Sequence, residues 1–240
     1  YCLVDRAEIQ SCPSSLSPGI PHPERGRTRA PELNEGSLKQ ENKQCPKNTQ
    51  QSTASSREED YGTVHEFDVA DIADRLMARQ IGAVCSGCSE FGPRALGNRS
   101  IIALPTLPEM QDNVNLRKGR EPWRPFGPAT TSTGSGLWED ISFLDKYMVG
   151  AAAMTDVGRR LLPAVAHVDG TTRPQAIDPS ETSPFASIVL EMGRRGVPAV
   201  LNTSFNGPGE PIIQTATEAL SAFRAQQLDF LVLDDKVVTT

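Results

Sequence analysis

No stretch of this 240-residue chain approaches the ~18 consecutive apolar residues that a helical membrane span needs, so no membrane partner is expected. Aromatic residues are scarce, at 5%, and the net charge is −6. Both argue against the wide basic surface of a nucleic-acid binder. Histidine occurs three times, and no Ser or Cys nucleophile is paired with one by spacing, which excludes a hydrolytic triad. Neither G-x-x-x-x-G-K-[ST] nor G-x-G-x-x-G occurs, so the common nucleotide loops are absent. The five cysteines are an odd number, and three of them (Cys2, Cys12, Cys45) fall in the first 60 residues. Cys85 and Cys88 form a lone C-x-x-C without the second pair a zinc site requires, and are read as a strand end followed by a turn. No metal site is expected, and a reducing, cytoplasmic setting fits best. No basic-then-apolar leader with a cleavage site follows Tyr1, and the chain reads as a fragment of a soluble protein.

Residues 1–60 are rich in Ser, Pro, Gln, Asn, Lys and Glu and poor in large apolar side chains. Such a segment buries too little apolar surface to offset its ordering entropy, so a disordered low-complexity leader is expected there. Residues 61–240 suffice for one core. Asp68 caps a helix carrying Val69, Ile72, Leu76 and Met77, with Gly82 as its stop and Ala83 to Cys85 as a buried strand. Thr106 and Glu109 form a capping box with Pro108 in the first turn of a helix through Leu116. Pro163 to Val168 reads as a strand. Ser183 and Pro184 open a helix that Gly196 closes, and Val197 to Leu201 is a short strand ending at Asn202. A second capping box, Thr215 with Glu218, opens a helix with Leu220, Phe223 and Leu228 on its apolar side, and Phe230–Leu233 turns through Asp234-Asp235-Lys236 into Val237-Val238. The fold class is α/β or α+β with a twisted mixed sheet.

Four polar clusters interrupt these elements: Glu90–Arg99, Lys118–Arg124, His167–Gln175 and Asn202–Pro211. The first two concentrate Arg94, Arg99, Arg117, Lys118, Arg120 and Arg124 among Gly and Pro residues in an acidic chain, as a phosphate site would. The helix dipole alone accounts for one of Arg117 and Lys118. Glu90 and Glu121 are candidates to hold two of the arginines in place. His167 and Asp169 share a strand face either as a base and its carboxylate or as a structural hydrogen bond, and Thr171, Arg173 and Gln175 suit a polar ligand edge. Asn202, Thr203, Ser204 and Asn206 either read a neutral polar ligand at a strand's carboxyl end or hold the loop in Asx and Ser/Thr turns.

Taken in order, EFGPRALGNRS, N-x-x-K-x-RE-x-x-RPF, HVDGT-x-R-x-Q and NTSFN-x-x-GEPI resemble the C-terminal, YrdC-like domain of the nodulation-type and antibiotic-tailoring O-carbamoyltransferases over roughly residues 68–235. The resemblance implies a domain that uses ATP, with Mg2+, and carbamoyl phosphate to make carbamoyl-adenylate. An N-terminal ATPase-fold domain, in cis or in trans, would then pass the carbamoyl group to a small-molecule acceptor hydroxyl. By resemblance Lys118, Arg120 and Arg124 are assigned to the phosphates of both substrates. Arg94, Asn98 and Arg99 shape the same pocket or its mouth. His167, Asp169, Thr171, Arg173 and Asn202 to Asn206 bind the carbamoyl amide, the adenosine or both. Gly87-Cys88 departs from a common Gly-Arg pair, and Gly127 stands where Ala is common. A module that binds a nucleotide or phosphometabolite without turnover, or a non-functional fragment, is the alternative.

Overall fold

The computed structural model describes residues 62–131, 136–140 and 146–240. The expected leader over 1–60 lies outside the described residues.

Strand β1 (Thr63–Glu66) leads to Asp68, whose carboxylate accepts the Ala70 amide and starts α1 (Val69–Met77). Helix α1 stops before Gly82. Its chain reverses at Arg79, which takes a left-handed φ of 68°, and Gly82 opens β2 (Gly82–Cys85) instead. A Cβ at Gly82 would fall 2.2 Å from the Phe230 ring, so this glycine serves close packing rather than helix termination. Strand β3 (Arg99–Ala103), buried throughout, begins at the last arginine of the first cluster. Helix α2 (Glu109–Arg117) forms without the Thr106 box: Pro108 is already helical in φ and ψ, and no side chain caps it. Strand β4 (Gly127–Thr130) follows the second basic cluster.

The expected strand over Pro163–Val168 is absent. After β5 (Ala152–Ala153) and α3 (Asp156–Leu161), Pro163–Val165 forms a 3-10 turn with Ala164 and Val165 both buried. His167 to Thr171 then closes a tight turn through Gly170, φ 79°, into β6 (Thr171–Thr172). Strand β7 (Gln175–Ala176) leads to α4 (Pro184–Arg194), which Ser183 caps as its position predicts. Strand β8 (Ala199–Ser204) runs past Asn202 to Ser204. The Thr215–Glu218 capping box is present at α5 (Ala216–Ala225), and β9 (Phe230–Leu233) and β10 (Lys236–Thr239) form the closing hairpin.

Eight strands form one mixed sheet in the order β1-β10-β9-β2-β3-β8-β4-β7, with β2/β9 and β4/β7 parallel and the other pairs antiparallel. Adjacent residues on the central strands point to opposite faces. Ala83, Ile101, Leu201 and Leu231 meet Met110 and Val114 of α2 and Phe223 of α5 on one side. Val84, Ile102, Val200 and Val232 meet Leu76 of α1 and Phe185, Ile188 and Met192 of α4 on the other. Each large apolar side chain fully buried this way contributes about 1.5–3 kcal/mol. The class is mixed α/β, with helices on both faces of the sheet. Among the described residues no helix is long and apolar enough to cross a membrane.

Candidate active site

The second basic cluster sits where α2 ends and meets the end of β8. Lys118 is the C-cap residue of α2 and is only 4% exposed. Its ammonium donates to the carbonyls of Ser204 and Asn206 and, at 3.1 Å, to Asn206 Oδ1. Burial, with the neighbouring Arg120 charge adding to it, pushes Lys118 down to about 7. Gly119, φ 61°, brings the chain so close to the facing loop that a Cβ there would touch the Pro208 ring at 3.0 Å.

Arg120 is held rigidly. Its Nε donates to Asn115 Oδ1 at 2.6 Å, and its guanidinium lies 4.4 Å from the centre of the Phe126 ring. Burial first, then the Arg124 charge, push it down to about 10, with Glu121 opposing. Asn115 is itself buried and donates to the carbonyls of Pro122 and Arg124, fixing the loop between them. Arg124 pairs with Glu121 at 3.1 Å, as expected for that carboxylate. Lys118 to Glu121 and Arg124, with Ser204 and residues 206–209 opposite, line an open cleft of about 480 Å³. Arg117 turns away to Asp229, at 3.1 Å, and is not part of it.

A smaller chamber of about 130 Å³ adjoins the cleft, and Arg120 and Ser204 border both. Arg94, His167, Arg173, Asn202 and Thr203 line it. The Arg94 guanidinium is pushed downward by partial burial and by Arg173. His167 is pushed downward by burial, against a hydrogen bond from its Nε2 to the Phe126 carbonyl. Asn202 is 2% exposed; its amide nitrogen donates to Ala95 O and to Gln175 Oε1, and its side-chain oxygen is buried without a partner.

Ten of the sequence-derived candidates therefore meet around two adjoining spaces: Lys118, Arg120, Arg124, Arg94, His167, Arg173, Asn202, Thr203, Ser204 and Asn206. Four do not. Arg99 is buried, and its guanidinium donates to the carbonyls of Ser86, Gly87, Asn98 and Gln214; its remaining Nε is buried without a partner, and the side chain lines neither space. Asn98 donates to the Cys88 carbonyl. Asp169 accepts the Thr171 amide and hydroxyl, which locks the turn, so the link from His167 to Asp169 runs through Thr171 rather than directly. Glu90 pairs with no arginine side chain among the described residues. Its Oε1 instead accepts the backbone amides of Leu96, Asn98 and Arg99. Cys85 is a buried free thiol at a strand end, as read from the sequence, and burial pushes it up to about 11. Glu90 supports the loop backbone rather than the arginines it was expected to hold, and Asn115 and Gln175, whose amide donates to Leu96 O, are supports to which the sequence reading gave no such role. All three stand inside the quoted motifs, where their presence was the available signal.

The family model described as "Carbamoyltransferase C-terminus" matches residues 73–240, and the chain belongs to that family. It is 38% identical over 180 residues to the nodulation protein NolO of Bradyrhizobium diazoefficiens, covering 69% of this chain and 31% of that protein. It is 33% identical over 187 residues to the uncharacterized protein MJ1051 of Methanocaldococcus jannaschii, covering 73% of this chain and 34% of that one. The chain thus spans about a third of the length of these relatives. Among solved structures it is similar to full-length HypF in a phosphate- and nucleotide-bound form, with a TM-score of 0.47, 15% identity, and 72% of this chain and 22% of that chain covered.

Proposed function

We propose that this domain binds ATP and carbamoyl phosphate and forms carbamoyl-adenylate, which a companion N-terminal domain, in cis or in trans, uses to carbamoylate an acceptor hydroxyl. The observation that carries the reading is the convergence of Lys118, Arg120 and Arg124 on one cleft that adjoins a chamber holding Arg94 and Arg173, in a chain of the carbamoyltransferase C-terminus family. Joining two polyanions demands fixed cations at both, aimed where charge develops at phosphorus. ATP, carbamoyl phosphate and water give carbamoyl-adenylate, pyrophosphate and phosphate. Among the described residues no three or more His, Cys, Asp or Glu side chains gather into a metal cluster. Magnesium therefore enters this reading as the counter-ion of the triphosphate, held mainly by phosphate oxygens and water.

The test is pyrophosphate release from ATP by the full chain, with and without carbamoyl phosphate, beside Arg124→Ala. Release that requires carbamoyl phosphate and is lost in the variant supports the reading. ATP binding without release, unchanged when the companion domain is added, supports a non-catalytic binding module instead.

A further inference from the structure

Resting on the anion-binding part of that reading, we infer that Asn115 is a positioning residue that makes Arg120 and Arg124 act as one unit. Its amide aims the side chain of the first and fixes the backbone of the second.

Asparagine is a poor choice inside a helix, because its amide competes for nearby backbone groups, and burying that amide is costly unless it is bonded. Asn115 stands in the last turn of α2 and is only 1% exposed. Its Oδ1 accepts Arg120 Nε at 2.6 Å, and its Nδ2 donates to the carbonyls of Pro122 at 3.0 Å and Arg124 at 3.2 Å. Its own backbone carbonyl accepts the Arg120 amide. All four bonds run forward into the basic loop, and none reaches a strand or another helix. The residue therefore organises the loop rather than the sheet.

The Arg120 guanidinium lies over the Phe126 ring, a contact that leaves it free to turn in its own plane. The in-plane bond from Nε to Asn115 stops that turning and sets the direction of the terminal nitrogens. That terminal edge borders both the cleft and the small chamber. Arg124 is set through its backbone. Its carbonyl accepts Asn115 Nδ2 and also Gln111 Nε2, one turn earlier on the same face of α2, and its amide donates to the Glu121 carbonyl.

Charge explains why the tether is an amide. Arg120 and Arg124 are close enough that the charge of the second pushes the first downward, so the pair tends to splay apart. A carboxylate at position 115 would hold Arg120 but cancel the charge it offers to an anion. It would also turn an oxygen on the two carbonyls that Nδ2 now serves. A neutral side chain with one acceptor and two donors ties both arginines and leaves both charges available.

The experiment is calorimetry of inorganic pyrophosphate with the full chain, arranged as two double-mutant cycles. Asn115→Leu, close in volume to the native side chain, should weaken pyrophosphate by about tenfold or more in the wild-type background. In the Arg120→Lys background, which lacks Nε, and in the Arg124→Ala background the same change should cost about twofold or less. Asn115→Asp should weaken pyrophosphate at least as much as Asn115→Leu. Thermal melts establish that each variant is folded, and Asn115→Ala replaces Asn115→Leu in the cycles if the latter is not. An equal loss in all three backgrounds makes Asn115 a general support of the fold and overturns the inference. A loss that shrinks in only one background ties Asn115 to one arginine and overturns the joint role, as does wild-type affinity in Asn115→Asp. A wild-type chain that binds pyrophosphate but releases none from ATP leaves the positioning role standing and sinks the adenylation reading. One that binds no pyrophosphate overturns both.

Discussion

The ammonium of Lys118 lies 3.1 Å from the side-chain oxygen of Asn206, and through this bond the end of α2 is fastened to the loop after β8. The contact joins two of the four motifs across 88 residues of sequence. It also sets the cation in the wall of the cleft, with three acceptor oxygens around it and Arg120 beside it. Replacing Lys118 by Met should cut pyrophosphate release by about a hundredfold or more, the size of effect seen when one fixed electrostatic donor is removed. Lys118→Arg should not restore it, because a planar fork cannot satisfy three acceptors gathered around one point. Near-wild-type turnover in either variant would remove Lys118 from the reacting centre.

Lys118 also supplies a proton signature. Burial brings it to about 7, far below the ordinary 10.5, so at pH 8 without ligand the Lys118 amine is mostly neutral. Phosphate oxygens favour the ammonium, so nucleotide binding at pH 8 should take up a fraction of a proton approaching one. At pH 6 the lysine is already charged and the uptake should nearly vanish. Titrations in buffers of different ionisation enthalpy read this number directly. The wild type minus Lys118→Met difference isolates it from the titration of the nucleotide itself.

Arg99 and Glu90 should behave as structural residues. Arg99→Met removes the donors to four carbonyls, and Glu90→Ala removes the acceptor of three amides. Leaving such groups unpaired costs about 1–3 kcal/mol each where no water replaces the partner. Each variant should therefore lose several kcal/mol of stability by urea denaturation. Glu90→Gln, which keeps an acceptor oxygen, should lose about 1 kcal/mol. Unchanged stability together with lost ligand binding would return Arg99 to the site.

Much of this was legible in the sequence because the signals were local. Asp68, Ser183 and the Thr215–Glu218 box cap helices where their spacing says they should, and the β9–β10 hairpin turns where Asp234-Asp235-Lys236 stands. What failed were readings decided by tertiary packing. Gly82 reads as a helix stop, yet it is the space for the Phe230 ring that reserves it. Pro163 to Val168 has a strand's composition, but Ala164 and Val165 are buried together, without the alternation a half-exposed strand needs. Strand β4, spelled GPAT, carries no strand signal at all and is made by its neighbours β8 and β7. The site divides the same way. Motif content identified the cations, but composition does not distinguish Arg99, spent on carbonyls, from Arg94, left unpaired.

Gly127 gives the sharpest local test. Here a Cβ at 127 would lie 2.3 Å from the methyl of Met148 and 2.4 Å from the carbonyl oxygen of Arg173. The end of a methionine can swing aside, but a backbone carbonyl moves only with its segment. Ordinary contact begins near 3.4 Å, so the Arg173 backbone must retreat by about 1 Å. That displacement pulls Arg173 out of register with Arg94 across the small chamber. Gly127→Ala should therefore cost about 1–3 kcal/mol of stability, the usual range for overpacking a filled interior. It should also weaken binding of carbamoyl phosphate, read by calorimetry beside the wild type. Adding Met148→Ala opens space for the methyl group but not for the clash with the carbonyl, so the double variant should recover part of the stability and little of the affinity. Full recovery of both would mean that Met148, rather than the Arg173 backbone, sets the shape of the small chamber.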